Sequence, residues 1–276
     1  MAPGPGESEI DLSAETIDVL QKSNQKVGRS VLTRIVETGR TILPSGEEVQ
    51  ATSNIDGICG ALLHRVIKTL RPRVGIEVGL AFGISTLYIL EALEETGGQK
   101  LIGMDPAQHD NHWRGGGLHN IREAGYESLY EFHENASQQV LPALVGEGQR
   151  IDFAFIDGWH TFDHTLIDFF YIDQMLNAGG VVVFDDVGYP AIKRVCDFIV
   201  TNRDYEVFDS VRLPIASTSS RRLKDTANRL LNPLVRTDKT PSPEARGKEL
   251  EIDDVYFLAL KKRADDSRRW DHFVHF

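Results

Sequence analysis

The chain has 276 residues, 41% of them apolar and 26% charged, with a formal net charge of −11. That length supports one sizeable core with appendages, and the acidic balance argues against general nucleic-acid or anionic-membrane binding. No apolar run approaches the roughly 20 residues of a membrane span, the opening MAPGPGESEIDL lacks the apolar stretch of a secretory leader, and the two cysteines, Cys59 and Cys196, show no metal spacing and suit a reducing, cytoplasmic setting.

Residues 1–9 are rich in Pro, Gly and Glu and carry no packing signal. Over 13–38, Ile17, Leu20, Val27, Val31, Ile35 and Val36 recur at three- and four-residue spacing, which predicts a helix. TILPSGEEV (41–49) reads as two short extended pieces around a turn. A second helix follows, with Ser53 or Asn54 as its cap, Ile58, Leu62, Val66 and Leu70 on one face, and Pro72 past its end. The apolar runs 74–78, 100–105, 129–134, 151–157 and 181–186 are predicted strands, and helical stretches separate them. The helix 163–176 is expected to stop at Asn177-Ala178-Gly179-Gly180. The segment HDNHWRGGGLHN (109–120) is too rich in Gly and His to pack as regular structure, and it offers His109, His112 and Trp113 as ligand wall. A helix over 191–201 and strands over 205–211 and 255–261 complete the pattern. The βαβ alternation predicts a doubly wound parallel sheet.

The stretch VGIEVGLAFGIST (74–86) organises the rest. A buried strand runs into a turn holding Gly79 and Gly83, then into a helix whose free N–H groups and positive dipole end point at the turn. In open α/β sheets this is where a nucleotide-like ligand sits. The pattern is Glu77-x-Gly79-x-x-x-Gly83-x-Ser85, not G-x-G-x-x-G, because Ala81 stands where the second glycine belongs. An acid before the turn suits a cationic or amino-acid ligand better than a pyrophosphate, which favours S-adenosylmethionine over NAD. Asp105 ends the next strand, at the distance where such folds place an acid on the ribose hydroxyls.

EVGLAFGIS, the MD of 104–105, NASQQVLPAL, FIDGWH and VVVFDD, in that order, resemble the class I S-adenosylmethionine-dependent O-methyltransferases. The catechol and caffeoyl-CoA type is most alike, and bacterial tailoring enzymes of the macrocin and novobiocin kind are also similar. The resemblance spans about residues 50–200 and the final strands. It implies a Rossmann-like α/β fold: a seven-stranded, mostly parallel sheet with an antiparallel last strand and helices on both faces. It also implies cofactor contacts from Glu77, Gly79, Ala81, Gly83, Ser85 and Asp105, with Ala136, Ser137 and Gln138 beside adenine, and Asp157, Asp185 and Asp186 as ligands of Mg²⁺ or another hard divalent cation.

The carboxylates also converge on physical grounds. Asp157 ends one strand, Asp185 and Asp186 end its neighbour, and adjacent strands lie about 5 Å apart. Such a group needs a proton or a cation between its members, and oxygen-only ligands suit Mg²⁺ or Ca²⁺, which would acidify a bound hydroxyl. A metal-free acid cluster is the other reading. His160, three residues past Asp157, is the general-base candidate, or else a structural histidine at the next helix start. Some tailoring relatives carry an acid two residues past the metal aspartate; here that position is Trp159, which either stacks on adenine or is packed.

We therefore expect an N-terminal helical extension (1–50) and a methyltransferase domain (51–276) with a lid-like insertion at 212–253, which is rich in Lys and Arg and includes Arg221, Arg222 and Arg229. The expected activity is O-methylation of a small-molecule acceptor by S-adenosylmethionine, in a homodimer that binds neither nucleic acid nor membrane. A nicotinamide-dependent oxidoreductase and a cofactor-binding regulatory module are the alternatives.

Overall fold

Alternation along the apolar strands decides which side chains meet which helices. The computed structural model describes residues 30–212 and 254–276. In chain order these hold helix α1 (30–38), the hairpin β1 (Arg40–Ile42) and β2 (Glu48–Gln50), α2 (Gly57–Leu70), β3 (Val74–Val78), α3 (Ile84–Thr96), β4 (Lys100–Met104), α4 (Gly116–Glu123), β5 (Tyr130–His133), α5 (Ser137–Gly146), β6 (Ile151–Ile156), α6 (Phe162–Met175), β7 (Leu176–Phe184), α7 (Pro190–Asn202), β8 (Tyr205–Arg212) and β9 (Val255–Lys262). The first part of the predicted 13–38 helix and the insertion beyond Arg212, with Arg221, Arg222 and Arg229, lie outside the described residues.

The main sheet has seven strands in the order β5-β4-β3-β6-β7-β9-β8. β3 to β7 are parallel, and β9 runs antiparallel between β7 and β8. Strand residues alternate between two apolar cores. Phe153, Phe155, Val181 and Val183 join α2 and α3 on one face, while Ala154, Ile156, Val182 and Phe184 join α5, α6 and α7 on the other. Val31, Leu32, Ile35 and Leu43 pack into the first of these cores. Chain order reverses between β3 and β6, so the crevice at the carboxyl ends of these strands is the switch point where an open α/β sheet takes its ligand.

Three local expectations are corrected. Asp56, not Ser53 or Asn54, caps α2, accepting from the backbone N–H groups of Ile58 and Cys59; the apolar stripe is then Leu62, Leu63, Val66 and Ile67, and Ile58 is exposed. Asn177–Gly180 does not stop a helix. It lies inside β7 opposite a ladder irregularity, where a Cβ on Gly180 would meet the Asp152 carbonyl oxygen at 2.8 Å. The triple glycine begins a helix instead of a loop: Gly116 and Gly117 are the first residues of α4. A side chain on Gly117 would strike the Ala81 carbonyl oxygen at 2.5 Å, so these glycines let α4 press on the 79–83 turn.

Candidate active site

The turn between β3 and α3 is braced from three sides. The Asp105 carboxylate, at the end of β4, accepts from the backbone N–H groups of Leu80 and Ala81 (3.1 Å each) and Ala107 (2.8 Å). From the α4 side, Gln108 donates to the Ala81 carbonyl (2.9 Å) and accepts from Gly117 N–H (2.8 Å), while Asn120 donates to the Phe82 carbonyl (2.9 Å). Beneath, the hydroxyls of Ser85 and Thr86, in the first turn of α3, donate to the two Glu77 carboxyl oxygens at 2.7 Å. Ala81 holds a left-handed conformation (φ 49°), and Gly79 (φ 94°) and Gly83 (φ 76°) flank it.

Above this turn opens a cavity of about 420 Å³. Its floor is residues 78–81 and 83–85, one wall is Met104–Ala107 with Trp113, and another is Ala136–Gln138 at the start of α5. Asp157–His160, His164 and Asp168 form the side after β6, and Ser53–Ile55 close over it. Volume and shape suit a small organic ligand.

At the β6–β7 end an acid cluster surrounds one imidazole. His160 Nε2 lies 3.4 Å from Asp157 Oδ1 and 3.2 Å from Asp186 Oδ2. Asp185 accepts from the Asp186 backbone N–H at 2.8 Å, in a turn where Asp186 takes φ 51°. Burial pushes the Asp157 carboxyl above the usual range against the opposing pull of His160, and burial with the neighbouring Asp157 and Asp186 pushes Asp185 up to about 8. The hydrogen bond to Asp157 raises the His160 imidazole above 6.5, although its own burial opposes this.

Residues 76–187 match a family described as a methyltransferase domain. Over this stretch the chain resembles a methyltransferase domain. Among curated proteins it is similar to a caffeoyl-CoA O-methyltransferase of Stellaria longipes, 27% identical over 136 residues (47% of this chain, 52% of that protein), and to tapetum-specific methyltransferase 1 of Arabidopsis thaliana, 28% identical over 127 residues (45% and 51%). The chain thus spans about half the length of the curated relatives it matches. Solved structures share its fold. An O-methyltransferase from Bacillus cereus in complex with SAH superposes with a TM-score of 0.57 at 14% identity, over 89% of this chain and 100% of that one. The O-methyltransferase TomG from Streptomyces achromogenes, in complex with SAM, gives 0.54 at 16%, over 90% and 96%.

Of the residues expected to touch a cofactor, Gly79, Ala81, Gly83, Ser85, Asp105, Ala136, Ser137, Asp157 and Trp159 all line the cavity. Glu77 does not. It is fully buried under the turn, where it binds Ser85 and Thr86 and anchors α3 instead of facing a ligand. Asp105 faces the cavity but spends three hydrogen bonds on backbone N–H groups, so its first task is to shape the turn. Trp159 is 69% exposed at the rim, so the packed reading does not hold. Trp113 lines the cavity as wall, whereas His109 pairs with Glu134.

The donor chemistry of Asp157, Asp185 and Asp186 is that of a hard-cation site, but Asp157 and Asp186 close on the His160 imidazole. Among the described residues no group of three or more His, Cys, Asp or Glu side chains is placed to hold a metal ion. Sequence reasoning missed Gln108, Asn120 and Asp168. The polar residues of 108–120 and an acid set between the apolar residues Ile167 and Phe169 of α6 were the available signals.

Burial pushes the Glu77 carboxyl up to about 8 against an ordinary 4.5. The folded protein therefore holds this proton more tightly than the unfolded chain does. Its contribution to stability is complete below pH 4.5 and is lost as pH rises through 8. Glu77→Gln, which cannot ionise, is expected to gain roughly 5–10 °C in Tm relative to wild type between pH 5 and pH 8.5, as read by thermal denaturation of both proteins at the two pH values.

Proposed function

We propose that this protein transfers the methyl group of S-adenosylmethionine to a hydroxyl oxygen of a small acceptor. The supporting observation is the continuity of the cavity over the glycine turn with the His160–Asp157–Asp186 cluster at its β6–β7 end. Matches to a caffeoyl-CoA O-methyltransferase and to SAH- and SAM-bound O-methyltransferase structures support the same reading.

The reaction is an in-line displacement. The acceptor oxygen attacks the sulfonium methyl carbon, the O–C bond forms as the C–S bond breaks, and the sulfur leaves as the neutral thioether of S-adenosylhomocysteine. The acceptor proton goes to His160 Nδ1, the ring nitrogen that does not face the carboxylates, while Nε2–H meets Asp157 and Asp186, which stabilise the imidazolium that results. Holding the two reactants in line supplies the remaining acceleration. No step is assigned to a divalent ion, because two of the carboxylates that would hold one, Asp157 and Asp186, lie against the imidazole.

Isothermal titration of S-adenosylhomocysteine tests the cofactor. Wild type is expected to bind it, and Asp105→Ala to lose binding because the 79–83 turn loses its brace. No binding by wild type would sink the reading. Turnover of radiolabelled S-adenosylmethionine on a hydroxylated acceptor panel is expected to survive exhaustive EDTA treatment. Turnover abolished by EDTA and restored by Mg²⁺ would return the Asp157, Asp185 and Asp186 set to a metal.

A further inference from the structure

The cavity has a carboxylate that the proposed reaction leaves unused. Asp105 is committed to the turn and Asp157 to His160. Asp168, on α6, also lines the cavity, is 2% exposed, and keeps a buried Oδ1 with no hydrogen-bond partner among the described residues. A buried acceptor without a donor is costly, and such atoms are rare in folded proteins. The surroundings show where its donor comes from. The Ser137 hydroxyl lies against the carboxylate from the start of α5. On the other side stands Gly158, where a Cβ would sit 3.7 Å from Oδ2, so the missing side chain keeps this wall thin.

This corner lies between the Ala136–Gln138 wall and the loop after β6, and neither Asp185 nor Asp186 lines the cavity. A nucleoside whose ribose rests on the glycine turn beside Asp105 places its base here. The exposed Trp159 ring at the rim suits a flat aromatic face. The polar edge of the base then meets Asp168. An acceptor-only carboxylate selects an edge that presents N–H, and adenine presents an exocyclic amine.

We infer that Asp168 accepts a hydrogen bond from the 6-amino group of the cofactor's adenine and sets the base preference of the cavity, an inference that rests on the cofactor reading above. Carbonyl-bearing purines are rejected because their 6-oxo oxygen would face the carboxylate. The ribose hydroxyls and the amino-acid ammonium, the cofactor's other donors, belong to the glycine-turn side.

The test is isothermal titration of wild type and Asp168→Asn with S-adenosylhomocysteine and with S-inosylhomocysteine, in which a 6-oxo group replaces the 6-amino group. Wild type is expected to bind the inosyl compound at least about 30-fold more weakly. In Asp168→Asn the gap is expected to narrow at least about tenfold, because the amide N–H can donate to the 6-oxo oxygen. An equal gap in both proteins, or equal weakening of both ligands by the substitution, would overturn the inference while leaving the cofactor reading intact. Failure of wild type to bind S-adenosylhomocysteine overturns both. If Asp168→Asn does not fold, the 6-desamino analogue on wild type decides: a loss under about threefold means that the amine has no buried partner.

Discussion

Replacing His160 with alanine is expected to lower kcat by about 10²–10³-fold, the usual contribution of a positioned general base, with affinity for S-adenosylhomocysteine unchanged within about threefold. The imidazole lies between Asp157 and Asp186 at the end of the cavity where an acceptor would enter, and the cofactor corner is built from other residues. A merely structural histidine would instead lower stability and cofactor affinity together. The pH profile separates the two roles. A general base must be neutral, so activity falls as pH drops through its pKa. Because the bond to Asp157 raises that value, the acid limb of kcat in wild type is expected above pH 6.5. Asp157→Asn removes the largest cause of the raised value and should move the limb to lower pH. The residual activity of His160→Ala should lose the limb and recover in part with added imidazole. A limb that persists unchanged in His160→Ala would assign the titration to the carboxylates.

Gly79→Ala is expected to destabilise the fold by about 3–5 kcal/mol, from left-handed backbone strain together with forced overpacking, and to abolish S-adenosylhomocysteine binding. Gly79 takes φ +94°, and a Cβ there would lie 2.1 Å from the Asp157 carbonyl oxygen. The obstructing atom is backbone at the end of β6, so relief requires β3 and β6 to part at the crevice that holds the site. The hydrogen bond from Asp157 N–H to the Val78 carbonyl would go with them. Gly97→Ala supplies the control. Gly97 also has positive φ (+75°), but a Cβ there meets nothing within 4 Å, so only the backbone strain remains, about 1–2 kcal/mol. Thermal denaturation of the pair, with Tm for Gly79→Ala lower by about 10 °C or more, measures the steric part. Equal Tm losses would mean that the β3–β6 approach tolerates a methyl group.

How much of this was legible depended on the range of the interaction. Strand 74–78, the turn after it and the parallel order of the sheet follow from local signals: period-two apolar runs, glycines at the turn, and helical spacing between strands. The gathering of Asp157, His160, Asp185 and Asp186 was also legible, because parallel neighbouring strands must bring their carboxyl ends together. What the acids do there was not. Glu77 reads as a ligand residue until α3 folds back and sets Ser85 and Thr86 against it. Asp105 reads as a ribose partner, and only the fold shows that the turn also presents the Leu80 and Ala81 N–H groups to its carboxylate. The triple glycine reads as a loop until α4 is seen pressed on Ala81 and Phe82.

The sequence by itself determined the sheet, the switch-point cavity and the residue types available to line it, because periodicity, glycine conformation and strand direction are properties of neighbouring residues. Only the tertiary structure decided which carboxylate holds the turn, which one meets the imidazole and which one keeps a buried oxygen without a partner. Each of those outcomes depends on a partner brought from a distant element and on how much water the packing leaves behind.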